Sequence, residues 1–234
     1  MTVHVAIPLF PRFTALDAVG PYEVLQRIPS VQVTFLAARP GVLRSENDML
    51  GMVADASFDD LVDPDVVVFP GGVGTRAVQR DEPTLDWVRR AHATTRYTTS
   101  VCTGSLVLGS AGLLRGLTAT THWSCASELE PLGAVPVAQR VVEHLDRRII
   151  TAAGVSSGID MALRLVELPV DRTAAQAAQL MVEYDPQLPT TVARWPRSTT
   201  PSSRGSSSTQ NTASREPPIV ADRRRNAGAT GVLQ

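Results

Sequence analysis

The sequence predicts an α/β sandwich built on a mainly parallel β-sheet. Three observations carry that prediction. Short β-branched runs alternate with helical patterns over residues 3–184, and several of the runs are apolar without interruption. The chain has 234 residues and is 43% hydrophobic, enough for one sizeable core. Uninterrupted apolar strands suit a sheet covered on both faces, and the intervening helices supply the crossovers that parallel strands need.

Taken in order, strands are expected at 3–7 (VHVAI), 31–37 (VQVTFLA), 65–70 (DVVVFP), 96–101 (RYTTSV), 140–145 (RVVEHL) and 147–153 (RRIITAA). Helices are expected at 20–27, after Gly20-Pro21, and at 83–93, with proline at the first position. Three more are expected at 103–114, 158–168 and 173–184. The last two strands meet at Asp146 and predict a hairpin inserted into the alternation. After Pro189 the composition turns to Ser, Thr, Pro and Arg without an apolar period. Residues 1–189 therefore read as one domain and 190–234 as a disordered tail. An Arg cluster at 223–225 lacks the aromatic neighbours that stack on bases.

Arg plus Lys totals 22 against 23 for Asp plus Glu, so no net field draws the chain to nucleic acid or an anionic membrane. The expected partner is a small molecule. Every basic residue is Arg, which points to a GC-rich coding sequence and carries no functional meaning. The start, MTVHVAIPLF, has no export pattern, and no apolar run is long enough to span a bilayer; a cytoplasmic location is expected. Cys102 and Cys125 are expected to stay thiols there, with no disulfide framework.

Cys102 lies between an apolar run and Thr103-Gly104-Ser105, whose small side chains permit a sharp turn from strand to helix. A cysteine in that turn stands at the carboxyl edge of a parallel sheet, where ligands collect, and at a helix start, where free N–H groups favour thiolate. Free cysteines are also among the most buried and inert residues, so local pattern leaves both readings open. The stretch DVVVFPGGVGT runs from a strand into Gly71-Gly72, which is either a tight turn or a place where backbone N–H groups meet developing charge. Its spacing matches neither a Rossmann fingerprint nor a Walker loop. Asp17 is either a helix-start residue or a proton donor facing Cys102, and Glu23 offers the same alternatives with a surface position favoured. His122 is either the base of a Cys–His pair or part of a pocket wall. Cys125 reads as a spectator thiol. No Cys/His pair has ligand spacing, so no metal site is expected.

The segments LDAVGPYEVL, VVVFPGGVGT, SVCTGSLVLGSAGLLRGLTATTHW and ITAAGVSSGIDMALRLVE, in that order, resemble the ThiJ/PfpI superfamily over residues 3–189. Within it the chain is most similar to the isocyanide hydratases. The resemblance implies a flavodoxin-like sandwich of the glutamine amidotransferase class I-like type, a homodimer, and hydration of an isocyanide to an N-substituted formamide without metal or organic cofactor. It makes Cys102 the nucleophile on an elbow and Asp17 its acidic partner, where many members carry glutamate. Thr103 takes a supporting hydroxyl role, and the amides of Gly72 and Cys102 would donate into an anion pocket beside Gly71. Ala153, Gly154 and Val155 would line the site. Val155 stands for the usual Ile, and Ser156-Ser157 for an expected Thr-Ala pair. With Thr103 directly after the cysteine, the protease-like Cys–His pairing is absent and His122 becomes a pocket-wall residue.

The same resemblance makes the tail anomalous. With plausible GC-rich codons, Thr190 to Trp195 can be read in another frame as a stretch nearer the family's sequence, so the tail is expected to be a frameshift product. Two alternatives accompany the hydratase reading: a glyoxalase- or deglycase-type enzyme, and a stand-alone sensory domain related to transcription regulators.

Overall fold

The computed structural model describes residues 2–187. The expected tail over 190–234, its frameshift reading and the end of the 1–189 domain lie outside the described residues. The chain runs β1 (Val3–Pro8), α1 (Ala15–Leu25), β2 (Val31–Ala37), β3 (Gly41–Arg44), β4 (Gly51–Ala54), β5 (Ala56–Ser57) and β6 (Val66–Phe69). It continues through α2 (Thr75–Val78), α3 (Glu82–Thr94), β7 (Tyr97–Val101), α4 (Gly104–Ser110), β8 (Thr118–Ala119) and β9 (Val135–Pro136). The described part closes with β10 (Val141–His144), β11 (Ile149–Ala152), α5 (Ser157–Glu167) and α6 (Arg172–Met181).

Seven strands form one sheet in the order β10-β11-β7-β6-β1-β2-β5, and only the β10–β11 pair is antiparallel. This is the predicted α/β sandwich. All four residues of β6 are buried, as are four of the five in β7, because helices cover both faces. Helices α1, α5 and α6 pack together, and α2, α3 and α4 form a second group. Each fully buried Val or Phe of β6 contributes roughly 1.5–3 kcal/mol of transfer free energy. Trp87 of α3 is completely buried, stacks on Phe58 at 4.7 Å, and sends its indole N–H to the Leu61 carbonyl.

From β1 the chain crosses to β2 on one side, while β6 and β7 lie on the other. That reversal opens the carboxyl edge of the sheet between β1 and β6, the usual place for ligands in such folds. Pro70-Gly71-Gly72, Cys102 and Ala153-Gly154 all follow strands at this edge.

Several expectations about elements change. The first helix begins at Ala15, not Gly20, and runs through Pro21. Pro21 has no N–H for the helical bond, but Gly20 lets α1 lie against Ile159 of α5, where a Cβ would be 3.1 Å from Cγ1. Packing therefore holds a turn that propensity disfavours. The helix expected over 103–114 stops at Ser110, ahead of Gly112 at φ 84°. The hairpin at Asp146 forms, turning through a short 3₁₀ segment to Arg148 at φ 58°. The antiparallel β3–β4 ribbon, the edge strand β5 and the short β8–β9 pair were not expected.

Candidate active site

Cys102 is the residue after β7, and its backbone is in the left-handed region at φ 56°. For a residue with a Cβ that conformation costs roughly 1–2 kcal/mol. Hydrogen bonds over-determine it. The Cys102 N–H donates to the carbonyls of Ala152 and Ala153 at 3.0 and 3.1 Å. Its carbonyl accepts from the Thr121 hydroxyl at 3.0 Å and the Ser105 hydroxyl at 3.1 Å. Gly104 is required next, since a Cβ there would sit 2.2 Å from the Phe69 carbonyl oxygen. The result is a strained strand-to-helix elbow with Cys102 4% exposed.

Asp17, in the first turn of α1, is completely buried. One carboxyl oxygen, Oδ2, accepts the Gly71 N–H at 2.9 Å. The other, Oδ1, is buried without a hydrogen-bond partner among the described residues. Burial pushes the Asp17 carboxyl up to about 7, against the Gly71 N–H and the Cys102 thiol, which favour the carboxylate; the charge of Glu46 adds to the rise. Burial also raises the Cys102 thiol, the Asp17 charge raises it further, and the Thr103 amide opposes both. The two groups titrate as a pair. The expectation that a helix start would favour thiolate is thus reversed in the free protein, because desolvation and a facing carboxylate outweigh one amide.

Gly71 sets the spacing of this pair. A Cβ at Gly71 would lie 2.5 Å from the Thr103 nitrogen, 2.7 Å from its hydroxyl and 2.8 Å from Asp17 Oδ2. Gly72, at φ 134°, donates its N–H to the Thr103 hydroxyl at 2.8 Å, and that hydroxyl returns a bond to the Gly72 carbonyl at 3.1 Å. Thr75 donates to the same carbonyl at 2.7 Å. The anion pocket expected from the amides of Gly72 and Cys102 is therefore not formed by them. Thr103 engages the first, and the carbonyls after β11 engage the second. The amide that reaches the sulfur is that of Thr103.

Gly154 lies beside the elbow and carries His122 against it, for a Cβ there would be 2.4 Å from His122 Cδ2. His122 Nδ1 meets the Ser124 hydroxyl at 2.8 Å and the Ser124 N–H at 3.4 Å, capping a 3₁₀ turn over Trp123–Glu128. It makes no hydrogen bond to Cys102 among the described residues, which leaves the Cys–His alternative without support. Val155 is half-buried against the core. Glu23 is on the surface, bonded to Gln26 and Arg27. Cys125 is buried in the 3₁₀ turn, where Arg76 donates to its sulfur at 3.3 Å.

Sequence reasoning missed Glu46, which accepts from the Thr14 hydroxyl at 2.9 Å and the Val73 N–H at 3.0 Å. It also missed Thr121 and Ser105 as supports of the elbow. Thr121 sat in the quoted TATTHW stretch, whereas nothing around Glu46 marked it. Among the described residues no group of three or more His, Cys, Asp or Glu side chains is placed to hold a metal ion. No helix among them is long and apolar enough to cross a membrane.

Comparison with known proteins places the chain among relatives of one fold. An isonitrile hydratase from Pseudomonas putida is 44% identical over 189 residues, 81% of this chain and 82% of that protein. The transcriptional regulator GbdR of Pseudomonas aeruginosa is 32% identical over 141 residues, 59% of this chain and 38% of the regulator. A crystal structure of a ThiJ/PfpI family protein from Pseudomonas syringae superposes with a TM-score of 0.77 at 39% identity, covering 81% of this chain and 78% of that one. Drosophila DJ-1beta shares the fold at a TM-score of 0.71 and 22% identity, over 78% and 98% of the two chains. Residues 3–168 match the DJ-1/PfpI family. With the flavodoxin-like sheet, the elbow and this match in agreement, the chain belongs to the DJ-1/PfpI family.

Proposed function

We propose that the protein is an isocyanide hydratase, a hydro-lyase that converts R–N≡C to the formamide R–NH–CHO through a covalent adduct on Cys102. One observation carries the reading: a buried carboxyl that titrates near neutrality faces the elbow thiol, in a chain 44% identical to an isonitrile hydratase. Hydration of an isocyanide carbon needs a nucleophile and a proton at the same atom. Cys102 supplies the first and Asp17 the second.

In the first step Asp17 takes the thiol proton as sulfur attacks the terminal carbon. The same carboxyl then delivers that proton to the carbon, giving the thioimidate R–N=CH–S–Cys102. Water adds to the thioimidate carbon with Asp17 as base. The nitrogen gains a proton, the C–S bond breaks, and formamide leaves as the thiol re-forms. A carboxyl near 7 suits this cycle because it both accepts and gives a proton at neutral pH. Thr103 holds the Gly71-Gly72 loop against the elbow, and its amide steadies the sulfur as it gains charge. No step calls on a metal or an organic cofactor.

In this reading the domain over 1–189 carries the activity, acts as a homodimer in the cytoplasm, and engages neither nucleic acid nor membrane. His122, Gly154 and Val155 shape the wall against the isocyanide substituent.

A paired assay tests the reading. A simple aliphatic isocyanide is expected to give its formamide, with a Cys102 adduct visible by intact mass. Lactate from methylglyoxal without formamide would transfer the protein to the glyoxalase-type alternative.

A further inference from the structure

A recess opens at the carboxyl ends of β1 and β2, a cleft of about 570 Å³ that includes none of Asp17, Gly71, Gly72, Cys102, Thr103, His122 or Gly154. Its size falls within the range of sites for small organic ligands. Phe10, backed by the buried ring of Phe69 stacked on it at 5.8 Å, forms one wall, and Leu43, Phe58 and Val78 extend the apolar surface. Phe58 is itself braced by buried Trp87.

Two arginines, Arg39 after β2 and Arg80 after α2, also line the cleft. Both are exposed, and neither guanidinium has an ion-pair or hydrogen-bond partner among the described residues. Asp81 is the one carboxylate lining the cleft, and the Thr84 hydroxyl already donates to it. The cleft thus joins aromatic and aliphatic walls to an excess of unengaged positive charge. Apolar walls without these cations would favour a neutral hydrocarbon, and cations without the walls would attract any anion. Together they are complementary to one molecule that carries both features, because a guanidinium binds a carboxylate through charge-assisted and often bidentate hydrogen bonds.

We propose that this cleft is a binding site for a small amphipathic carboxylic acid, its hydrocarbon body against Phe10, Leu43 and Phe58 and its carboxylate on Arg39 and Arg80. The site is separate from the hydration chemistry and does not depend on that assignment.

Calorimetric titration of the full chain with octanoate, and with octan-1-ol as the uncharged control, tests it. Saturable one-to-one binding of octanoate is expected, about tenfold tighter than the alcohol. Combined Arg39→Gln and Arg80→Gln changes, both at exposed positions that leave the fold intact, should reduce octanoate to the level of the alcohol. Ala77→Trp, which narrows the cleft, should abolish binding of both, with a thermal melt verifying the fold. Octanoate binding should persist in Cys102→Ala. Absence of saturable octanoate binding, equal affinity for acid and alcohol, unchanged affinity in the double-arginine variant, or loss of binding in Cys102→Ala would each overturn the proposal.

Discussion

Two thiols are buried in this protein, and they sit in opposite electrostatic company. Cys102 ends a strand in a strained conformation and faces the carboxyl of Asp17. Cys125 lies in a 3₁₀ turn and accepts a bond from the Arg76 guanidinium. By the usual rule for cysteine activation, the thiol beside the cation is the better nucleophile. The proposed chemistry selects the other one, because a thiol that must also hand its proton to carbon gains more from a neighbouring carboxyl than from a cation. What separates the two regions is where a proton can go.

The largest expected effect is the loss of that chemistry at Cys102. Cys102→Ala should lower turnover of an isocyanide by at least about 10⁴-fold and remove the mass adduct; retention of either would reverse the comparison. Asp17→Asn keeps an acceptor for Gly71 but cannot shuttle a proton, and should cost about 10²–10⁴-fold in kcat/KM.

The same variant has a stability signature. Below about pH 4 Asp17 is protonated in both folded and unfolded chains. Between there and pH 7 only the folded chain keeps the proton, so wild-type stability falls as pH rises, by roughly 4 kcal/mol in all. Relative to wild type, Asp17→Asn should therefore gain stability at pH 8 and not at pH 4, measured by denaturant midpoints. In the wild type, kcat/KM should rise with pH through an apparent pKa near 7 as Asp17 loses its proton.

Gly71→Ala sharpens the geometric half of the contrast. The added Cβ must displace Thr103 or Asp17, which should lower turnover about 10²-fold and stability by about 1–3 kcal/mol. Cys125→Ala closes the series, with turnover within about threefold of wild type and a loss near 1 kcal/mol. A drop comparable to that of Cys102→Ala would show that Cys125 is no spectator.

Much of this was legible in the sequence. Six of the seven strands of the main sheet stood out as β-branched apolar runs, while the two-residue edge strand β5 is too short to leave such a pattern, and the elbow stood out because small residues bracket Cys102. The start of α1 was misread, since Gly20-Pro21 breaks helices locally and only the contact with Ile159 compensates. The β3–β4 ribbon escaped notice because it lacks a consistent buried face; Val42 and Val53 stay 61% and 52% exposed. The protonation of the site was also hidden. Burial of Asp17, the reach of Glu46 and the engagement of the Gly72 amide arise from segments far apart in the chain. Local pattern cannot say which of two nearby groups an N–H will choose.

The engagement of those amides has a consequence for inhibitors. Ester and amide hydrolysis pass through tetrahedral species with a full charge on oxygen, and hydrolases meet that charge with free backbone donors. Here Gly72 and Cys102 offer none, since both amides already donate to protein oxygens. Aldehydes and boronic acids that exploit such donors should gain little at this elbow. Uncharged electrophiles that stop at a planar thioimidate should hold it best.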